Sequence, residues 1–136
     1  MKKTAVIFFA LVLFFGCKKT VQQIVGDAIL QAMTDGQWAI TSFTQNGTDI
    51  TSSFSAYKFK YYSNKTVDAI KNGSVEMTGN WDGDANAMTT YANFSAATNP
   101  LSLVNGTWHI VNNSWTYISV TQTNGSETKT MRLDKQ

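Results

Sequence analysis

Cysteine, histidine and proline each occur once in this chain of 136 residues, as Cys17, His109 and Pro100. A single cysteine excludes an intramolecular disulfide, so the fold must hold by packing alone. A single histidine excludes a multi-histidine metal site, and no metal or other cofactor is expected. Charge is sparse as well, with Asp, Glu, Lys and Arg making up 15% of residues. No basic cluster stands in the body of the chain, which argues against a nucleic-acid partner. No Gly-x-Ser-x-Gly elbow occurs, and no nucleophile–base pair is visible. The sequence therefore reads as a protein that is not an enzyme. His109 follows Trp108 on a candidate strand and should face outward where Trp108 faces inward.

The first residues are unlike the rest. Lys2 and Lys3 precede an apolar run from Ala5 to Phe15, followed by Gly16 and Cys17. A charged start, an apolar stretch and a small residue are the parts of a secretory signal. The run is well short of the roughly 20 apolar residues a membrane-spanning helix needs. Cys17, placed just after Gly16, resembles the cysteine of the bacterial lipoprotein lipobox, while Phe14 and Phe15 depart from the leucine and small residue usual before it. That resemblance implies cleavage after residue 16, a diacylglycerol on the Cys17 thiol and an anchor in the membrane. Each lipid CH₂ buried would contribute about 0.8 kcal/mol, and two or more chains hold stably. Lys18, not Asp, follows the cysteine, so the inner-membrane retention signal is absent and no acidic run follows. The expected location is the bacterial cell envelope, at the outer membrane and facing the periplasm. Loss of Lys2 and Lys3 leaves as many acidic as basic side chains, so the mature chain is near neutral.

The expected organisation has three parts: residues 1–16 as signal peptide, 17–36 as lipidated N-terminus and amphipathic helix, and 37–136 as one β domain. In the second part Val21, Ile24, Val25, Ala28, Ile29 and Met33 recur at helical spacing, with Gln22, Gln23, Asp27 and Gln31 opposite. Thr20 suits the N-cap and Gly36 the end. The polar face lacks lysines, so this helix should pack on the domain rather than lie on a membrane.

From Gln37 onward the period changes to two. Asn46-Gly47, Asn64-Lys65, Asn72-Gly73, Asp82-Gly83, Asn112-Asn113 and Asn124-Gly125 read as turns. Between them lie candidate strands near 37–44, 56–62, 66–71, 74–82, 87–94, 107–112, 115–122 and 127–134. Tyr57, Phe59 and Tyr61 alternate with Lys58 and Lys60; Val75, Met77 and Trp81 alternate with polar residues. Short linkers and one apolar face per strand predict an all-β fold. Strands and turns of this kind suit a closed meander or a sandwich, and the alternation favours an eight-stranded antiparallel up-and-down barrel preceded by a short helix. Asp49 or Thr51 should cap a helical turn that returns Phe54 to the core. Pro100 should start a turn that lays Leu101 and Leu103 over an open end.

Several residues together resemble the lipocalin-like domain of short bacterial envelope lipoproteins. Trp38 and Ile40 match a Trp-x-Ile first strand. Gly47, Asp49, Thr51, Phe54, Tyr57 and Phe59 match a following string, and Gly79 and Trp81 a Gly-x-Trp. Leu101, Leu103, Trp108 and Ile110 match a leucine pair leading into Trp-x-Ile. The resemblance implies a calycin-type barrel and brings no catalytic residues. Its link to ligand binding is a fold-level analogy.

Other signals have plain readings. Asp82-Gly83-Asp84-Ala85-Asn86 starts like a calcium loop, but Ala87 and Asn93 stand where glycine and glutamate are needed. It reads as a polar hairpin. The Asn-x-Ser/Thr triplets at Asn46, Asn64, Asn72, Asn93, Asn105, Asn112 and Asn124 follow from Asn-rich turns entering threonine-rich strands. The aromatic residues are more informative. Tyr57, Phe59, Tyr61, Met77, Trp81 and Trp108 are the candidate lining of an interior ligand site. An eight-stranded barrel is either filled by side chains or holds one small ligand. An enclosed apolar space of about 300–1,000 Å³ lined by these residues would favour a small hydrophobic ligand. A filled interior favours the alternative, a structural or accessory subunit that offers its outer face to an envelope partner. Trp115 and Tyr117 are candidates for that face.

Overall fold

The computed structural model describes residues 21–136, with side chains from Asp27 onward. The expected signal segment, Cys17, Lys18, Lys19 and the Thr20 cap lie outside the described residues. No helix among the described residues is long and apolar enough to cross a membrane.

Helix α1 spans Val21–Thr34. Gly36, at φ +76°, provides the left-handed residue that ends it. Lys60 Nζ donates to the carbonyls of Thr34 and Gly36 at 3.2 and 3.0 Å. A cation thus meets the negative end of the helix and satisfies terminal carbonyls. Trp38 Nε1 donates to Met33 O at 2.9 Å. These bonds fix the last turn of α1 over one end of the domain.

The strands are β1 (Trp38–Gln45), β2 (Thr48–Asp49), β3 (Tyr57–Tyr61), β4 (Thr66–Lys71), β5 (Ser74–Asp84), β6 (Thr89–Asn93), β7 (Gly106–Asn113), β8 (Tyr117–Asn124) and β9 (Glu127–Lys135). From β3 to β9 each strand pairs antiparallel with the next. The first strand closes the ring: β1 pairs with β9 from Trp38 opposite Lys135 to Gln45 opposite Lys129. Its pairing with β3 is confined to Trp38 opposite Phe59. The result is the closed, eight-stranded antiparallel up-and-down barrel that the alternation predicts. The two-residue β2 is an extra piece, folded back on β1 through the positive-φ pair Asn46 and Gly47.

Two turn assignments change. Asp82-Gly83 lies inside β5, and the chain reverses at Ala85–Met88 instead, with Met88 at φ +51°. Asp84 Oδ1 accepts the N–H groups of Asn86 and Ala87 at 2.9 and 3.0 Å, which organises that reversal. Likewise β7 runs through Asn112-Asn113, taking up a bulge between Ile110 and Asn112. Asp-Gly and Asn-Asn tolerate turns without requiring them.

The interior is aromatic. Trp38, Phe43, Phe54, Phe59, Phe94 and Trp108 are fully buried, and every barrel strand except β6 contributes at least one buried apolar side chain. Phe54 arrives as expected, on a 3-10 turn over Thr51–Phe54, but the cap position is Ile50 and carries no side-chain cap, so neither Asp49 nor Thr51 caps the turn; Asp49 Oδ1 instead accepts the Thr51 N–H at 2.8 Å just ahead of it. The Phe54 ring then stacks on Phe43 at 4.7 Å. A second 3-10 turn, Leu101–Val104, covers the same end of the barrel, burying Leu101 and Val104 and half-burying Leu103. Lys129 faces inward there, 6% exposed. Its ammonium donates to Leu103 O at 3.1 Å and sits 5.3 Å from the centre of the Trp108 ring. Burial lowers its pKa.

Buried phenols make the fold sensitive to alkali. Burial raises the pKa of Tyr57, helped by the bond its hydroxyl donates to Glu76 Oε2 at 2.5 Å. Burial also raises that of Tyr61 well beyond the usual range. Both phenols hold their protons more tightly folded than unfolded. Their contribution is complete below about pH 10, the ordinary tyrosine value, and is lost as pH rises above it. Lys129 works in the opposite direction, because its lowered pKa relieves a buried charge as pH rises. The urea midpoint of the wild type should therefore fall between about pH 9.5 and 11 more steeply than that of Tyr61→Phe. Equal slopes would show that Tyr61 ionises as readily folded as unfolded.

Candidate functional site

Alternation along each strand decides which side chains meet inside. On β5, Gly79, Trp81 and Gly83 point inward, while Asn80, Asp82 and Asp84 point outward. Their partners on β6 follow, since Trp81 lies opposite Ala92 and Gly83 opposite Thr90. On β7 and β8, Trp108, Ile110, Ile118 and Val120 face in and are buried. His109 faces out and is exposed, as expected.

The ring-bearing interior is filled. The space between Phe59, Tyr61, Phe94 and Trp108 amounts to about 30 Å³, room for a single water. Phe59, Tyr61 and Trp108 border it; Tyr57 and Met77 do not. Tyr57 is buried between Phe54 and Phe59, with ring centroids at 6.5 and 6.3 Å. Met77 is half-buried against the core. Five of the six candidate lining residues therefore pack in one core, and Met77 lies at its margin.

The larger space is elsewhere. A cleft of about 620 Å³ opens between α1 and the β5–β6 hairpin. Its floor is apolar: Leu30 and Met33 from the helix, Trp81 from β5, Ile110 from β7 and Ile118 from β8. Its rim runs over the hairpin to the outward-facing Asp82, Asp84, Tyr91 and Thr107. Trp81 is the one candidate lining residue that borders it. The indole is pinned by its Nε1, which donates to Tyr62 O at 2.9 Å, and by the Tyr61 ring edge-on at 5.2 Å. Gly83 keeps the mouth open, since a Cβ there would meet nothing nearer than Leu30 Cδ2 at 3.9 Å. The cleft and the narrow 30 Å³ space share Met33, Thr90, Tyr91 and Ile118 in their walls.

The charged residues on the rim are acidic, and one of them, Asp82, is ion-paired with Lys65. Asp27, Asp82 and Asp84 border the cleft, and no lysine, arginine or histidine does so among the described residues. The Asp82 carboxyl is held below its usual pKa by the hydrogen bond from Lys65 and by the Gly83 N–H. Among the described residues no group of three or more His, Cys, Asp and Glu is placed to hold a metal ion. The two residues singled out for the outer face differ. Trp115 is 57% exposed. Tyr117 is half-buried, with the Arg132 guanidinium 4.2 Å from its ring centre.

The cleft residues carried a partial signal. Ile29 and Met33 belong to the apolar helical stripe, but Leu30 falls beside it. Ile110 and Ile118 read as core strand positions, and nothing in their spacing distinguishes a floor from a filled interior.

No family model matches the chain, and no curated protein matches it. Among solved structures, the chain is similar to a DUF4847 family protein from Bacteroides vulgatus ATCC 8482, with a TM-score of 0.55 and 10% sequence identity. The likeness covers 79% of this chain and 99% of that one. At such low identity it bears on the fold alone.

Proposed function

We propose that this chain is a non-enzymatic lipoprotein of the bacterial envelope. In this reading it is held at the outer membrane by lipid on Cys17 and binds a small apolar ligand in the cleft between α1 and the β5–β6 hairpin. The observation that carries the ligand is the cleft itself. Its volume falls within the roughly 300–1,000 Å³ of small-molecule sites, and an apolar floor with a few polar groups at the rim is their usual make-up. The ring-lined interior is too full for the same role, so the ligand moves from the barrel axis to its helical end. Helix α1 follows the proposed anchor closely in sequence, which would set the cleft near the membrane surface.

The anchor and the ligand are tested separately. Metabolic labelling with an alkynyl fatty acid should mark the wild type, and Cys17→Ala should abolish the label; an unlabelled wild type would remove the anchor. N-phenylnaphthylamine, a neutral apolar dye, should brighten on saturable binding. Gly83→Leu, which projects a side chain into the cleft mouth, should weaken that binding several-fold. Dye binding that ignores Gly83→Leu would remove the cleft.

A second reading has its own support. Trp115 and Val111, 57% and 61% exposed, stand near the β7–β8 turn of a barrel whose interior is filled. Exposed large apolar side chains on one edge suit a protein partner, and a chain that binds no dye would be read as an accessory subunit.

A further inference from the structure

We propose that the helical end of the barrel rests on a lipid bilayer, with the Trp115 indole seated at the boundary between headgroups and acyl chains. The inference rests on the reading of the chain as anchored in a membrane and adds how the domain lies on it.

The tip carries the insertion. Trp115 sits in the turn between β7 and β8, exposed, and Val111 is exposed on the strand that leads into it. The turn is ordered. Ser114 N–H donates to Tyr117 O at 2.8 Å, and Ser114 Oγ accepts the N–H groups of Thr116 and Tyr117 at 3.1 and 3.2 Å. Thr116 O accepts the Lys135 N–H at 2.8 Å, which ties the turn to the end of β9. Residues 111–117 carry no charged side chain, so burying them desolvates no ion. An indole has an apolar body and one polar N–H, the make-up of side chains that sit at a membrane interface. The hairpin turns at the other end of the barrel, Asn46-Gly47, Asn72-Gly73 and Asn124-Gly125, carry no aromatic residue.

The tether brings the bilayer to this end. Lys135 stands opposite Trp38, whose indole holds the last turn of α1, so the Trp115 turn and α1 share one end of the barrel. Helix α1 lies on that end in contact with β3 and β5. Its first residue, Val21, is four residues from Cys17, a span of at most about 14 Å. A lipid on Cys17 therefore holds the domain by its helical end, close to the surface. Charges near that end pair among themselves: Lys65 with Asp82 at 2.5 Å, Lys135 with Asp35 at 3.2 Å and Arg132 with Asp134 at 2.8 Å. Docking therefore leans on the apolar tip and not on lipid charge. A protein partner would cover the same side chains, but the tether leads to a bilayer.

The test uses the protein purified from cell membranes as the cell makes it, reconstituted into phosphatidylcholine vesicles with and without bromine on the upper acyl chain. Trp38, Trp81 and Trp108 are buried in the barrel, so Trp115 is the tryptophan open to a quencher. Brominated lipid should remove the Trp115 share of the wild-type emission. Trp115→Phe, a change on the surface, should show no bromine quenching, while the emission of its three buried indoles reports that it is folded. Adding phosphatidylglycerol should leave the wild-type quenching unchanged. Protein that floats with the vesicles but is not quenched overturns the docking and leaves the anchor standing. If Trp115 is then also shielded from acrylamide, a protein partner or a second copy covers it instead. Quenching that survives Trp115→Phe overturns Trp115 as the inserted residue, and quenching that requires phosphatidylglycerol overturns the apolar tip as its cause. Protein that neither carries lipid nor floats removes the anchor, and the docking with it.

Discussion

Replacing Trp108 by alanine should destabilise the barrel by about 3–5 kcal/mol, the range for deleting a large buried ring. The domain as a whole is expected to be stable by roughly 5–15 kcal/mol, so this one truncation removes a large share. The cost has several sources. The indole is 1% exposed and meets Phe43 edge-on at 6.0 Å. Its Nε1 donates to Val104 O at 2.9 Å, tying the Leu101–Val104 turn to the barrel wall. Its ring also lies beside the buried Lys129 ammonium. Alanine would leave a cavity, an unsatisfied carbonyl and a buried cation beside empty space. Trp108→Phe separates these terms, since it refills most of the volume and loses only the hydrogen bond, worth about 1 kcal/mol. Urea titration of the three proteins measures both steps. A Trp108→Ala protein within about 1 kcal/mol of wild type, on the scale of a typical point mutant, would mean that the ring does not fill the core.

The placement of these rings was legible in the sequence because a strand has a strict period of two. Once Trp108 faces in, Ile110 must face in and His109 out. The same rule put Tyr57, Phe59 and Tyr61 on one wall. The pairing of successive strands was legible too, because two-residue turns such as Asn72-Gly73 leave neighbours no choice but to pair; closure rests on β1 meeting β9, which no turn dictates. What the sequence did not carry was volume. Whether five large rings enclose a ligand or fill the space between them depends on how they tilt, as with Phe43 stacked on Phe54 and Tyr61 edge-on to Trp81. Those angles come from packing, and no periodicity encodes them. The cleft was hidden for the same reason: it joins a helix to a hairpin far away in sequence. The misplaced turn at Asp82-Gly83 is part of the same failure. Reading it as a reversal ended β5 too early and took Gly83 away from the mouth that it lines.

Gly79 and Gly83 face the same way on β5, and alanine should have opposite effects at the two. At Gly79 a Cβ would sit 2.4 Å from Asn93 O and 2.8 Å from Phe94 Cδ1. The first obstacle is backbone of the paired strand β6, which cannot rotate away as a side chain can. Either the β5–β6 ladder separates locally or the fully buried Phe94 moves, so Gly79→Ala should cost at least the roughly 1–3 kcal/mol typical of overpacking. Most of that cost should appear as faster unfolding if β6 docks late. At Gly83 the nearest atoms are the flexible end of Leu30 and the Thr89 carbonyl oxygen, both at an ordinary contact distance of 3.9 Å. Alanine fits there without strain, and removing glycine's freedom from the unfolded chain stabilises by about 0.4–1 kcal/mol. Paired urea titrations should place the two variants on either side of the wild type. The Gly79 result also gives a physical reason for the Gly-x-Trp pattern: glycine admits β6 at close range, and that approach seats Trp81 between Tyr61 and the cleft. Gly79→Ala should therefore raise the exposure of Trp81 to an aqueous quencher, whereas Gly83→Ala should leave it unchanged. A tolerated alanine at Gly79 would show that β6 does not approach β5 as closely as this.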